Sequence, residues 1–96
     1  MALRKPIKQN NGIVLNYHRI ADIRNVVNDK TYLDVISYVD KDEREKEQNQ
    51  PKYSPNKEVI YKVSKMYDLP YNDTLTIEDA YEYLKTLEVF EGSEDI

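Results

Sequence analysis

The chain reads as a small α+β domain: an antiparallel β-meander of about four strands, with one C-terminal helix packed on the sheet. Three observations predict it. Runs rich in Tyr, Val and Ile are separated by compact turn signals. A single charged stretch without apolar spacing interrupts them. Thr76 to Leu87 then carries a capped, amphipathic helical pattern.

The elements follow in order. Leu3–Lys8 is a short first strand, ended by Asn10-Asn11-Gly12, whose residues tolerate the positive φ of a tight hairpin. Ile13–Asn25 is a longer second strand. Its alternation of Ile13, Leu15 and Tyr17 against Val14, Asn16 and His18 changes parity across Ile20, Ala21 and Ile23. That change predicts a β-bulge near Arg19–Asp22. After a turn at Asn28-Asp29-Lys30, Thr31–Val39 is apolar on both parities, as a centrally placed strand is. Residues 40–56 form a charged, proline-containing loop or short exposed helix, with Asp40 as cap and Glu43 completing a capping box. Pro51 and Pro55 break any regular structure. Val59–Tyr67 is the fourth strand, with Val59, Tyr61, Val63, Lys65 and Tyr67 on one face, and Leu69 to Asp73 is a turn.

The helix starts at the N-cap Thr76, with Asp79 three residues on, and its stripe is Ile77, Ala80, Tyr81, Leu84 and Leu87. Glu78 and Asp79 near its start and Lys85 near its end suit the helix dipole. Gly92 marks its stop, and residues 92–96 are expected to fray. Residues 1–96 are read as one domain, since a chain of this size buries only about 60–65% of its unfolded surface.

Composition limits the function. Fourteen basic against eighteen acidic residues give a net charge of −4, which argues against a nucleic-acid backbone binder. The basic start (Arg4, Lys5, Lys8) and acidic end (Glu88, Glu91, Glu94, Asp95) are explained equally by head-to-tail packing and by solvated chain ends. With no cysteine there is no disulfide, thiolate metal site or thiol nucleophile. The charged start lacks the apolar core of a signal peptide, and no apolar run reaches membrane-spanning length, so a soluble protein made in the cytoplasm, with no membrane partner, is expected.

No catalytic constellation stands out. His18 is the only histidine, and a base needs a nucleophile and an orienting group that no motif supplies. Gly12 and Gly92 are the only glycines, too few for a phosphate-cradling loop. The acidic run Asp40, Asp42, Glu43, Glu45, Glu47 lacks the glycine and ligand spacing of a calcium loop, so no metal and no cofactor are expected. A non-enzymatic protein is the expectation.

Nine tyrosines are the most distinctive content, because tyrosine joins an apolar ring to a hydroxyl and suits half-wet strands and protein interfaces. Tyr32, Tyr38, Tyr61 and Tyr67 are explained as cross-strand pairs, and Tyr81 faces the core. Tyr53 and Tyr71, in loops beside prolines, and Tyr83, off the helix stripe, are the candidate interface residues.

The segments NGIVLNYHRI (Asn11–Ile20), AYEYLKTLEVF (Ala80–Phe90), LDVISYVDKDEREKE and the closing EGSEDI carry a resemblance. The chain resembles small, mostly uncharacterised proteins encoded by phages and prophages of Gram-positive bacteria, often among tail and baseplate genes. The resemblance implies a virion component or assembly factor of the tail region, and it carries over no functional residues. The expected partners are other phage structural proteins or a second copy, through an edge such as Leu3–Lys8 or Val59–Tyr67. The alternative is a small phage accessory protein that binds a host factor.

Overall fold

The computed structural model describes residues 1–49 and 60–96. It is an α+β fold built on an open antiparallel sheet of β1 (Leu3–Lys8), β2 (Val14–Asn25), β3 (Lys30–Tyr38), β4 (Lys62–Pro70) and β5 (Glu94–Asp95). The spatial order is β4-β3-β2-β1-β5. Two helices, α1 (Lys41–Asn49) and α2 (Ile77–Lys85), and a 3₁₀ turn at Glu88–Phe90 complete the elements. Pro51, Pro55 and Val59 lie outside the described residues.

Turn chemistry sets both hairpins. In the first, the Gln9 N–H donates to the Ile13 carbonyl at 2.8 Å and the Gly12 N–H to Gln9 at 3.0 Å, while Gly12 takes φ +87°. A side chain there would be strained in that left-handed conformation. In the second, the Val26 N–H donates to Lys30 at 3.1 Å, and Asn28 takes φ +63°. Asn is among the few residues other than Gly that tolerate it. The expected bulge is present, with the β2–β3 register shifting between Ile20 and Asp22.

One face of the sheet carries the core, where Leu3, Leu33, Val35 and Leu69 meet Ala80, Tyr81 and Leu84 of α2 and Phe90 of the 3₁₀ turn. Thr76 caps α2, its hydroxyl accepting from the Asp79 N–H at 3.1 Å. The helix is shorter than its sequence stripe. Leu87 is already extended, at φ −78° and ψ 142°, and Ile77 stands out from the surface. Stopping at Lys85 lets the 3₁₀ turn drive Phe90 edge-on against His18 (5.3 Å) and Tyr67 (5.6 Å).

The tail 92–96, expected to fray, is a strand: Gly92 turns at φ +78°, β5 pairs with Leu3 and Arg4, and Ala2 and Ile96 exchange hydrogen bonds at 3.1 and 3.0 Å. This two-residue strand joins the four expected ones as a fifth. The opposite charges of the chain ends are also partnered within the molecule, Arg4 with Glu94 and the Lys5 ammonium with the Glu91 carbonyl. The fourth strand runs on through Leu69, buried where a turn was expected.

Tyr81 ties these parts together. Its hydroxyl accepts from the Ile20 N–H at 2.9 Å and donates to the Met1 carbonyl at 2.9 Å. A side-chain oxygen thus stands in the gap between the start of the chain and the bulge of β2. Removing it leaves an amide and a carbonyl without partners, a cost of about 1–3 kcal/mol. Tyr81→Phe is therefore expected to lower Tm by about 4–8 °C for each kcal/mol lost, read by thermal unfolding followed by circular dichroism. A change under about 2 °C would show that the hydroxyl is dispensable.

Candidate functional site

The candidate sites are a buried histidine, an ionic cluster under α1, and the free edges of the sheet. His18 lies in β2 with 1% of its surface exposed. Its Nδ1 is 2.7 Å from the Ser37 hydroxyl and its Nε2 is 2.7 Å from the Lys5 carbonyl. A carbonyl only accepts, so Nε2 carries the proton and Nδ1 accepts from Ser37. Burial lowers the His18 pKa, partly opposed by its backbone hydrogen bonds. The ring is neutral, fully partnered and packed on Phe90, an arrangement that holds strands together.

The second site is one that sequence reasoning missed. Helix α1 has no buried apolar residue, yet it docks on the face of the sheet opposite α2, over the buried ring of Tyr38. Glu47 is the anchor. Its carboxylate accepts from the Tyr38 hydroxyl (2.7 Å), Arg44 (2.6 Å) and Lys62 (2.7 Å), with Arg19 at 3.7 Å. Arg19 and Arg44 also lie 5.8 and 5.9 Å from the Tyr38 ring centroid, in cation–π range. Asp40 caps the helix, accepting from the Glu43 N–H at 2.9 Å. The segment is a short, mostly exposed helix, as expected, but Arg44 and Glu47, three residues apart, turn inward to an ionic contact, and nothing in the charge run sets them apart from their neighbours.

Burial acts to raise the pKa of Glu47. The hydrogen bonds from Lys62 and Tyr38 and the charges of Lys62 and Arg44 outweigh it and hold the group at about 2, against 4.5 ordinarily. A carboxylate depressed in the folded state contributes stability above its unfolded pKa and loses it as pH falls through the folded value. Acidification from pH 4.5 to 2 should remove on the order of 2–3 kcal/mol. Denaturant titrations at stepped pH are expected to show that loss in the wild type and not in Glu47→Gln. His18, whose pKa is lowered, produces its own loss at higher pH, beginning below about 6.5, in both proteins. Equal slopes below pH 4.5 would contradict the Glu47 account.

The third site is the set of edges. Antiparallel strands direct their backbone groups alternately to either side, so one bond fixes the phase. The Val26–Lys30 bond turns the backbone of Asp22 and Arg24 toward β3, and that of Ile23 and Asn25 away from it. Carried across β3, the same phase turns Val63, Lys65, Tyr67 and Leu69 inward and Lys62, Ser64, Met66, Asp68 and Pro70 outward. Pro70 thus loses no ladder bond, as a proline on an edge strand should not. Tyr83 donates to the outward Asp68 carbonyl at 2.9 Å, which agrees with that phase.

The three tyrosines singled out as interface residues are not brought together. Tyr71, after β4, is 43% exposed. Tyr83, expected at the free surface, is half-buried with its hydroxyl spent on the β4 edge, because the helix lays that side toward the strand. Tyr53 lies outside the described residues. Among the described residues no group of His, Cys, Asp and Glu is placed to hold a metal ion, and no helix is long and apolar enough to cross a membrane. Searches with the chain against protein-family models, curated proteins and solved structures match none of them.

The edge assignment makes a paired prediction. Met66→Pro removes only an outward N–H and should keep Tm within about 5 °C of the wild type. Lys65→Pro breaks a ladder bond and leaves a β3 carbonyl unpaired, which costs about 1–3 kcal/mol and should lower Tm by more than about 5 °C. The reverse order would overturn the assigned phase.

Proposed function

We propose that this protein is a non-enzymatic structural or assembly protein of a phage tail or baseplate, acting through protein–protein contacts. The observation that carries the reading is the open sheet, in which outward backbone groups of the distal part of β2 have no strand beside them among the described residues. Such edges serve partners that add a strand, the backbone giving affinity and alternate side chains giving specificity. Exposed Ile77, beside that stretch, adds apolar contact to it. The neutral, fully hydrogen-bonded His18 fits a structural role better than a catalytic one. The resemblance of NGIVLNYHRI and AYEYLKTLEVF to phage tail-region proteins supplies the biological setting.

Mass spectrometry of purified particles from an induced source strain tests this reading. A stoichiometric copy number, retained through density-gradient purification, is the expected result. A chain abundant in the lysate and absent from particles would contradict the virion assignment and favour an accessory protein directed at a host factor.

A further inference from the structure

Proteins blunt exposed sheet edges with proline, lysine and covering groups. Among the described residues, three of the four free stretches in this sheet are blunted in such ways or by being short and charged. The outer side of β1 beyond Arg4 carries Lys5, Pro6 and Lys8. The β4 edge carries Lys62, Lys65 and Pro70, with Tyr83 bonded to its Asp68 carbonyl. Strand β5 is only Glu94–Asp95, both acidic. The fourth stretch is different. β1 pairs with β2 from Val14 only as far as His18, and the Tyr81 hydroxyl closes the ladder at Ile20. Among the described residues, Ala21–Asn25 therefore keeps an open side with neither proline nor lysine, beside a groove of about 250 Å³ lined by Ile20, Ala21, Asp22, Ile23 and Ile77.

The sequence of that stretch, Ala-Asp-Ile-Arg-Asn, is complementary to itself when reversed. With a two-fold axis at Ile23, Ile23 meets Ile23, Ala21 meets Asn25, and Asp22 of each copy lies opposite Arg24 of the other. The phase permits it, because Ile23 and Asn25 turn their backbone outward. The charges call for it. Asp22 stands directly opposite Asp34 on β3, a like-charge pair that is unfavourable across strands. Asp34 accepts from the Ser64 hydroxyl, while neither Asp22 nor Arg24 has an ion-pair partner among the described residues. A second copy brings a guanidinium to each uncompensated carboxylate. On the core face, Ile23 and the 60% exposed Ile77 would meet their symmetry mates, and the hairpin tip at Val27 (72% exposed) would reach toward Met1 (70% exposed).

We propose that the protein forms a two-fold symmetric homodimer in which Ala21–Asn25 of β2 pairs antiparallel with the same stretch of a second copy, locked by reciprocal Asp22–Arg24 ion pairs. The proposal names one partner for the contact-based role above and rests on that reading. A short edge of this kind falls at the small end of specific interfaces, so the dimer is concentration-dependent.

Sedimentation velocity of the full chain from ~10 µM to ~1 mM, at low and high salt, tests it. The wild type should dimerise, more weakly at high salt. Asp22→Arg and Arg24→Asp should each weaken the dimer by at least about tenfold, with circular dichroism confirming an intact fold. The double variant Asp22→Arg/Arg24→Asp, which exchanges the two charges, should restore it to within about threefold. A wild type that stays monomeric throughout overturns the dimer and leaves the particle experiment to judge the broader role. A wild-type dimer indifferent to both single reversals, or one the exchange fails to restore, also overturns the proposal, since self-association would then use another edge.

Discussion

The arrangement of this molecule turns on one hydroxyl group. Tyr81 reaches from α2 into the space between the first residues and the bulge of β2, where it joins the Ile20 amide to the Met1 carbonyl. Buried backbone groups must be paired, and a bulge breaks the ladder that would pair them. The tyrosine satisfies both groups at once. In doing so it fixes α2 over the sheet, marks where the pairing of β1 stops, and leaves the rest of β2 without a strand on that side among the described residues. The hydrophobic cluster of Leu3, Leu33, Val35, Leu84 and Phe90 supplies the driving force, and the hydroxyl fixes the geometry.

The two helices are held by different physics. α2 buries Ala80, Tyr81 and Leu84 in the ordinary way. α1 buries no apolar residue and is held by a single carboxylate among three cations and a phenol. Such an attachment depends on ionisation in a way that an apolar stripe does not. It also leaves the outer surface of α1 entirely polar and covers the Tyr38 ring on that face of the sheet.

What was legible in the sequence was local. Asn10-Asn11-Gly12 and Asn28 announce their turns because positive φ is a property of one residue. The parity change at Ile20–Ile23 announces the bulge, and Thr76 announces its helix. What was not legible depends on distant residues. The return of Glu94–Asp95 onto β1 needs Arg4 and Lys5 as partners, although the opposite charges of the two ends were visible. The inward turn of Arg44 and Glu47 depends on Tyr38, Arg19 and Lys62, and has no periodic apolar signal. Tyr83 reads as surface by helical spacing, yet the neighbouring edge strand takes its hydroxyl. The interface residues suffered most, because an edge exists only once the pairing lengths of neighbouring strands are known. Nothing in the residues of β2 says that β1 stops at His18.

That opening in β2 is the central claim, and amide hydrogen exchange followed by NMR reads it residue by residue. In dilute solution the Ile20 amide, bonded to Tyr81, and the Asp22 and Arg24 amides, bonded to β3, should be protected, while those of Ile23 and Asn25 exchange at close to unprotected rates. The last two should become protected as concentration rises. Slow exchange of Ile23 and Asn25 at every dilution, or fast exchange of Asp22 and Arg24, would contradict the account.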